Sequence, residues 1–260
     1  MKNKESFEFQ LRRHPEKKGQ EVVSPEGEKN PLPLEGIIQA QAEGVKLADQ
    51  IKETPPNTVF LGYTSNQPRT KEADFIFGQE LSVVSKNLPD SKVFDMAKEE
   101  SLENISKEVN DNIDKVIIIN SLEDKILGIR DKWNMKELED KISELGELGF
   151  LKEWSDSIET QELVGLSPQD IKEEFQAWIK EQMEEIRKFF PDRPVIISGI
   201  GHSVELDTAI VALMGKDLTS KNFEEMGGVI NTMEGAKIII DGSGNGTIEY
   251  RGKIAKLDLE

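Results

Sequence analysis

The segment Phe7–Pro15, FEFQLRRHP, constrains this chain more than any other nine residues. Phe7, Phe9 and Leu11 alternate with Glu8, Gln10 and Arg12, the period-2 pattern of a strand with two unlike faces. Pro15 carries no backbone N–H, so the ladder stops there. The strand therefore delivers Arg13 and His14 at its C-terminal end. In open α/β sheets that end is where ligands bind.

Histidine is scarce, with two in 260 residues. The second, His202, lies in VIISGIGHS, just past an apolar run that reads as a buried strand, Val195–Ser198, followed by a turn over Gly199–Gly201. Two histidines at two strand ends suggest one shared site. Two unrelated surface or capping histidines account for the placement equally well.

The totals narrow the chemistry. Asp and Glu number 50 against 33 Lys and Arg, a net charge of −17. Such a surface repels nucleic acid and anionic membrane, so neither is an expected partner. An anionic substrate then needs a locally basic pocket, so the cluster Arg12, Arg13, Lys17 and Lys18 is more informative here than in a neutral protein. There is no cysteine, which excludes disulfides, thiolate metal sites and a cysteine nucleophile. No apolar run reaches the roughly 18 residues of a membrane span, and MKNKESFEFQ has no signal-peptide core. A soluble, cytoplasmic protein is expected.

Other elements follow from pattern and punctuation. Residues 16–33 are rich in Glu, Lys, Gly and Pro and read as a loop rimming the site. Leu34–Gln50 has helical spacing, slightly weakened by Gly44. Val59–Tyr63 reads as a strand. Ser65 or Asn66 would cap a helix from Pro68 or Arg69 through Asn87, with Arg69 in a first turn that favours anions. Lys92–Met96 and Val116–Ile119 read as strands, Lys136–Leu148 and Pro168–Phe190 as helices, the latter opened by Ser167 and stopped by Pro191. Trp133, Trp154 and Trp178 all fall in this Glu/Lys-dense stretch; among so many negative charges they read as core, not as base-stacking platforms. Val204–Met214 reads as a helix, and Val229–Met233, Ala236–Asp241 and Thr247–Tyr250 as strands. The glycines of residues 242–246 join two strands, so they form a hairpin turn and not a phosphate loop.

Together, LRRHP at 11–15, LPLEGIIQAQAEG at 32–44, TSNQPRTKEAD at 64–74 and SGIGHSVELDTAIVALMG at 198–215 resemble the histidine phosphatase (phosphoglycerate mutase-like) superfamily. The order and rough spacing agree over residues 7–74 and 194–215, about a third of the chain. The pattern departs at Pro15, where the family has glycine, at Pro33, where it has Thr or Ser, and at Ser203, where its branches have glycine or aspartate. The resemblance implies an α/β fold, a three-layer α/β/α sandwich on a mostly parallel sheet. The whole chain, 1–260, would be a single domain with 101–190 as a mainly helical insertion or cap.

The same resemblance implies a metal-independent phosphomonoester hydrolase without cofactor, its substrate a phosphorylated small molecule or phosphoprotein. His14 would be the phosphorylated nucleophile, with Arg13, Arg69 and His202 around the phosphoryl oxygens. A neutral His14, its second nitrogen held by a backbone carbonyl, suits that role. The family's carboxylate after the third strand points to Glu99 or Glu100 as proton donor, with Glu205 the competitor. Arg12 alternates away from Arg13 and is not expected to be a ligand. Lys17 and Lys18 either steer anions or are solvated loop charges. Two histidines without a matching carboxylate spacing imply no metal site. A phosphoglycerate mutase-type phosphotransferase and a non-catalytic phospho-ligand binding module are the alternatives, and oligomeric state is not legible.

Overall fold

A computed structural model of the chain describes residues 6–15, 32–65, 67–99, 101–110, 112–123, 132–257 and 259, with the backbone alone for 120–123. Asn66, Glu100, Lys17 and Lys18, and most of the loop 16–33, lie outside the described residues. Among the described residues the strands are β1 (Ser6–Arg13), β2 (Thr58–Thr64), β3 (Ser91–Asp95), β4 (Lys115–Glu123), β5 (Val195–Gly201), β6 (Gly235–Asp241), β7 (Gly246–Tyr250) and β8 (Lys253–Lys256). They form one sheet in the order β3-β4-β2-β5-β1-β6-β7-β8. The first five in that order run parallel. The last three join antiparallel.

Parallel strands need crossovers that cover both faces, so their central members are buried throughout. β2 and β5 are buried at every position. One face is covered by α1 (Leu34–Glu53) and α2 (Pro68–Ser85), which bury Leu47, Ile51, Phe77 and Leu81 against Phe60, Ile117, Ile196 and Ile200. The other face carries the larger core. There Phe7, Phe9 and Leu11 meet α5 (Met135–Asp156), α6 (Ile158–Val164), α7 (Pro168–Phe189), α8 (Ser203–Leu213) and α9 (Ser220–Glu225). Short helices α3 (Met96–Glu99) and α4 (Leu102–Glu108) follow β3. The mostly parallel three-layer α/β/α sandwich expected from the sequence is the architecture observed.

The tryptophans are core residues. Trp133, Trp154 and Trp178 are 5%, 0% and 2% exposed. Trp178 packs edge-on against Phe9 and Tyr63, with ring centroids 5.7 and 5.8 Å apart, so α7 is fastened to the middle of the sheet. Ser167 and Asp170 close a reciprocal cap at its start. Residues 101–190 also contribute β4, which lies inside the sheet between β3 and β2.

Three local readings are corrected. Gly199–Gly201 is not a turn: flanked by β1 and β2, it completes β5, because ladder bonding on both sides outweighs glycine's conformational freedom. Val229–Met233 is not a strand but irregular chain. Lys253–Lys256, with no alternation to mark it, is an additional edge strand flanked by lysines, which discourage edge pairing.

Gly235 fixes the approach of β6 to β1. A Cβ there would sit 2.0 Å from the carbonyl oxygen of Leu11. Gly235→Ala should therefore cost about 2–4 kcal/mol and lower Tm accordingly, as expected for overpacking against backbone. An unchanged melting temperature would contradict the β1–β6 spacing.

Candidate active site

The site follows from strand register. β1 and β5 are parallel neighbours, with Arg13 paired to Gly201. His14 and His202 are the next residues along each strand. They must therefore emerge side by side at the C-terminal edge of the sheet. Their ring centroids are 5.1 Å apart, and the residues are 7% and 4% exposed. The His14 N–H donates to the Gly201 carbonyl at 3.0 Å, and the Ser65 N–H to the Ile200 carbonyl at 3.3 Å, so the ends of β1, β5 and β2 are tied together.

Hydrogen-bond partners assign both imidazole tautomers. His14 Nδ1 lies 2.6 Å from the Pro15 carbonyl oxygen. A carbonyl only accepts, so Nδ1 carries a proton. The backbone carbonyl expected at this ring is present, and Pro15 itself supplies it. His202 is held the other way round. Arg69 Nη2 donates to its Nδ1 at 3.0 Å, and a guanidinium only donates. Its proton is thus on Nε2, which donates to Ser65 Oγ at 3.1 Å. Thr70 Oγ1 donates to the carbonyls of Ser65 and Gln67, leaving it to accept from Ser65 Oγ at 2.8 Å. A directed chain from His202 through Ser65 to Thr70 fixes the ring.

Two helix N-termini open at the same edge: α2, with Arg69 in its first turn, and α8, which begins immediately after His202. Their unsatisfied N–H groups and dipoles favour an anion there. Ser65 is not the cap expected for α2. The cap position is Gln67, which makes no side-chain cap bond, and the Ser65 hydroxyl serves His202 instead.

Arg13 is held on the opposite side of its strand from Arg12. Its Nη1 donates to the Ile230 carbonyl at 2.8 Å and its Nη2 to Glu147 Oε1 at 2.9 Å. The Ile230 N–H donates to Asp207 Oδ1 at 2.9 Å, so the peptide groups of Ile230 are gripped from both sides. This clamp explains why the apolar stretch 229–233 is not in the sheet. Arg12 faces α1, tied to Ser198 Oγ at 3.3 Å, to Gln10 and to Glu43 at 3.6 Å, as the alternation requires. Burial pulls its guanidinium below the ordinary arginine range, an effect that Glu43 and Glu8 oppose.

The carboxylates separate. Glu99 ends α3, after β3, and β4 and β2 stand between β3 and β5. β3 itself is three strand spacings, roughly 14 Å, from β5, the strand that leads into His202. No hydrogen bond or ion pair links the Glu99 side chain to either histidine among the described residues. Glu205 is 4% exposed in the first turn of α8, three residues beyond His202. Ser65, Glu147 and Asp207 were not singled out in the sequence. Ser65 looked like a cap, and one glutamate or aspartate among 50 acidic residues carries no signal.

No protein-family model and no curated protein matches the chain. Solved structures do. Phosphoglycerate mutase from Bacillus anthracis is 15% identical with a TM-score of 0.51, over 97% of this chain and 95% of that one. A mycobacterial glucosyl-3-phosphoglycerate phosphatase is 12% identical, TM-score 0.47, over 90% of each chain. The phosphoserine phosphatase of Entamoeba histolytica, solved with 3-phosphoglyceric acid, is 15% identical, TM-score 0.45, over 96% of each chain. The likeness to the mutase spans nearly the full length of both chains. The chain has a phosphoglycerate mutase-like fold, the one its sequence resemblance implies.

Asp207 gives the site a measurable signature. Burial raises its carboxyl well above the ordinary aspartate range, against the opposing pull of the Ile230 N–H and Arg13. The folded protein then holds a proton that the unfolded chain releases. Stability contributed at this position must fall as pH rises from about 4, the unfolded value, towards the raised folded value. Asp207→Asn should lose less Tm than the wild type as pH is raised through that window. Parallel Tm-against-pH curves would contradict the assignment.

Proposed function

We propose that this protein is a metal-independent phosphomonoester hydrolase of the histidine phosphatase type, working through a phosphohistidine on His14. One observation carries the reading: His14, its Nδ1–H held by the Pro15 carbonyl, stands beside His202, with the Arg69 guanidinium bonded to that second ring. An imidazole oriented through its Nδ1–H, a second imidazole and a guanidinium are the parts that phosphoryl transfer to nitrogen requires.

In this mechanism His14 Nε2 attacks the phosphorus in line, and the ester oxygen leaves on the opposite side. Arg69 takes the developing charge on the non-bridging oxygens, helped by the N-termini of α2 and α8, and His202, fixed by Ser65, holds that guanidinium in place through Nδ1. Arg13 approaches from the other flank. Because Pro15 already holds Nδ1–H, the imidazole needs no reorientation before attack. The positive charge it acquires on phosphorylation is stabilised by the same carbonyl. The departing alkoxide takes a proton from a carboxyl group, and water then hydrolyses the phosphohistidine by the reverse proton movement. Glu205, close along the chain to His202, suits this role better than Glu99, which lies beyond two intervening strands. Charge neutralisation is assigned to arginine, imidazole and helix termini, so the chemistry as drawn uses no metal. The enclosing electrostatics fit a small or side-chain phosphomonoester; an acidic molecule of net charge −17 gains nothing from a polyanionic partner.

An aryl phosphate tests the proposal. Turnover should be insensitive to chelators and should fall by about a thousandfold or more in His14→Ala, as for loss of a nucleophile. Arg69→Ala should lower kcat/KM by about a hundredfold, the usual loss for one transition-state donor. Turnover of phosphoglycerate that depends on a bisphosphate primer would instead indicate a mutase. Phosphate or vanadate binding without turnover would indicate a binding module.

A further inference from the structure

The phosphate-facing guanidinium of the proposed site is already engaged by the chain's own carboxylate. Glu147 Oε1 accepts from Arg13 Nη2 at 2.9 Å. The way Glu147 is delivered is specific. α5 is interrupted at Gly146, whose backbone (φ 70°, ψ 164°) is not helical, between two helical stretches. Nothing lies within 4 Å of where a Cβ would be, so backbone conformation, not space, calls for glycine. Glu147 thus opens the second stretch, where the helix dipole favours a carboxylate. Leu148 beside it lies against Gly228, two residues before the Ile230 that Arg13 also holds.

The exposures of the two partners differ. The Arg13 side chain is 16% exposed and that of Glu147 is 35% exposed. The guanidinium is therefore the fixed, enclosed member and the carboxylate is the one that solvent can reach and exchange. Arg13 Nε, on the same edge of the guanidinium as Nη2, is buried and without a hydrogen-bond partner. A single carboxylate oxygen leaves that edge half used, whereas it is suited to paired oxygens.

We propose that Glu147 is a built-in competitor for the phosphoryl group, a latch that sits on Arg13 until a phosphomonoester dianion displaces it, with Gly146 as the hinge. This inference rests on the assignment of Arg13 to the phosphoryl site. Its consequence is a selectivity threshold. A ligand must out-compete a resident carboxylate, so dianionic monoesters exchange with it, while monoanionic diesters and simple carboxylates do not. Apparent affinity for every phosphoryl ligand is lowered by the fraction of molecules with the latch closed.

Glu147→Gln keeps shape and removes charge. Orthovanadate and inorganic phosphate should each inhibit aryl phosphate turnover at about fivefold lower concentration in this variant, and KM should fall by the same factor with kcat changed less. Glu147→Asp, shorter by one methylene, should fall between variant and wild type. Inhibition constants within twofold of wild type, or weaker, with His14-dependent turnover intact, would overturn the latch alone. Absence of vanadate binding and of turnover in both wild type and Glu147→Gln, each melting normally, would overturn the phosphohistidine assignment and the latch with it.

Discussion

Everything in this molecule's candidate chemistry depends on the parallel pairing of two strands separated by 181 residues of chain, β1 ending at Arg13 and β5 at Gly201. Parallel neighbours keep a fixed register, and a slip of one residue would turn every side chain to the wrong face. With Arg13 opposite Gly201, the two histidines that follow have no choice but to meet. The sheet interior enforces the register: Phe7, Phe9, Leu11, Val195 and Ile197 are all essentially inaccessible to solvent. Burial of these side chains, each worth about 1.5–3 kcal/mol, fixes the spacing of two imidazoles that contribute little stability themselves.

The electrostatic arrangement follows from that geometry. A strongly acidic protein gathers Arg13, Arg69, two helix N-termini and two imidazoles at one sheet edge, with His14 Nδ1 held by a carbonyl and His202 Nδ1 by a guanidinium. Preorganised donors of this kind act without reorganising when charge develops. The same edge also holds the groups that temper it. Glu147 pairs with Arg13, and Asp207, whose carboxyl burial raises well above the ordinary aspartate range, accepts from the Ile230 N–H.

Much of this was legible in the sequence, for physical reasons. Alternation in FEFQLRR marks a strand, proline ends it, and scarcity makes two histidines conspicuous. Arg69 was legible because a proline-led helix start places it where anions gather. The rest was hidden because it depends on non-local packing. Gly199–Gly201 carries turn-forming residues, yet it sits between two strands that supply ladder bonds on both sides. Val229–Met233 is as apolar as a strand, but Asp207 and Arg13 clamp its middle residue. Ser65 presents the chemistry of a cap and is used as a relay partner, a distinction made only when His202 arrives from 137 residues away. Glu99 follows the third strand as expected, and β4 and β2 stand between that strand and β5. Gly146 and Glu147 looked like ordinary residues of an amphipathic helix.

The central claim is that His14, and no other group, becomes covalently phosphorylated during turnover. Rapid acid-free quenching of a single turnover, followed by peptide mapping under alkaline conditions that preserve phosphohistidine, tests it directly. The account predicts a transient phosphoryl group on the Nε2 of His14, formed and lost at rates compatible with turnover. A phosphoryl group trapped on another residue, or steady turnover with none detectable on His14, would contradict it.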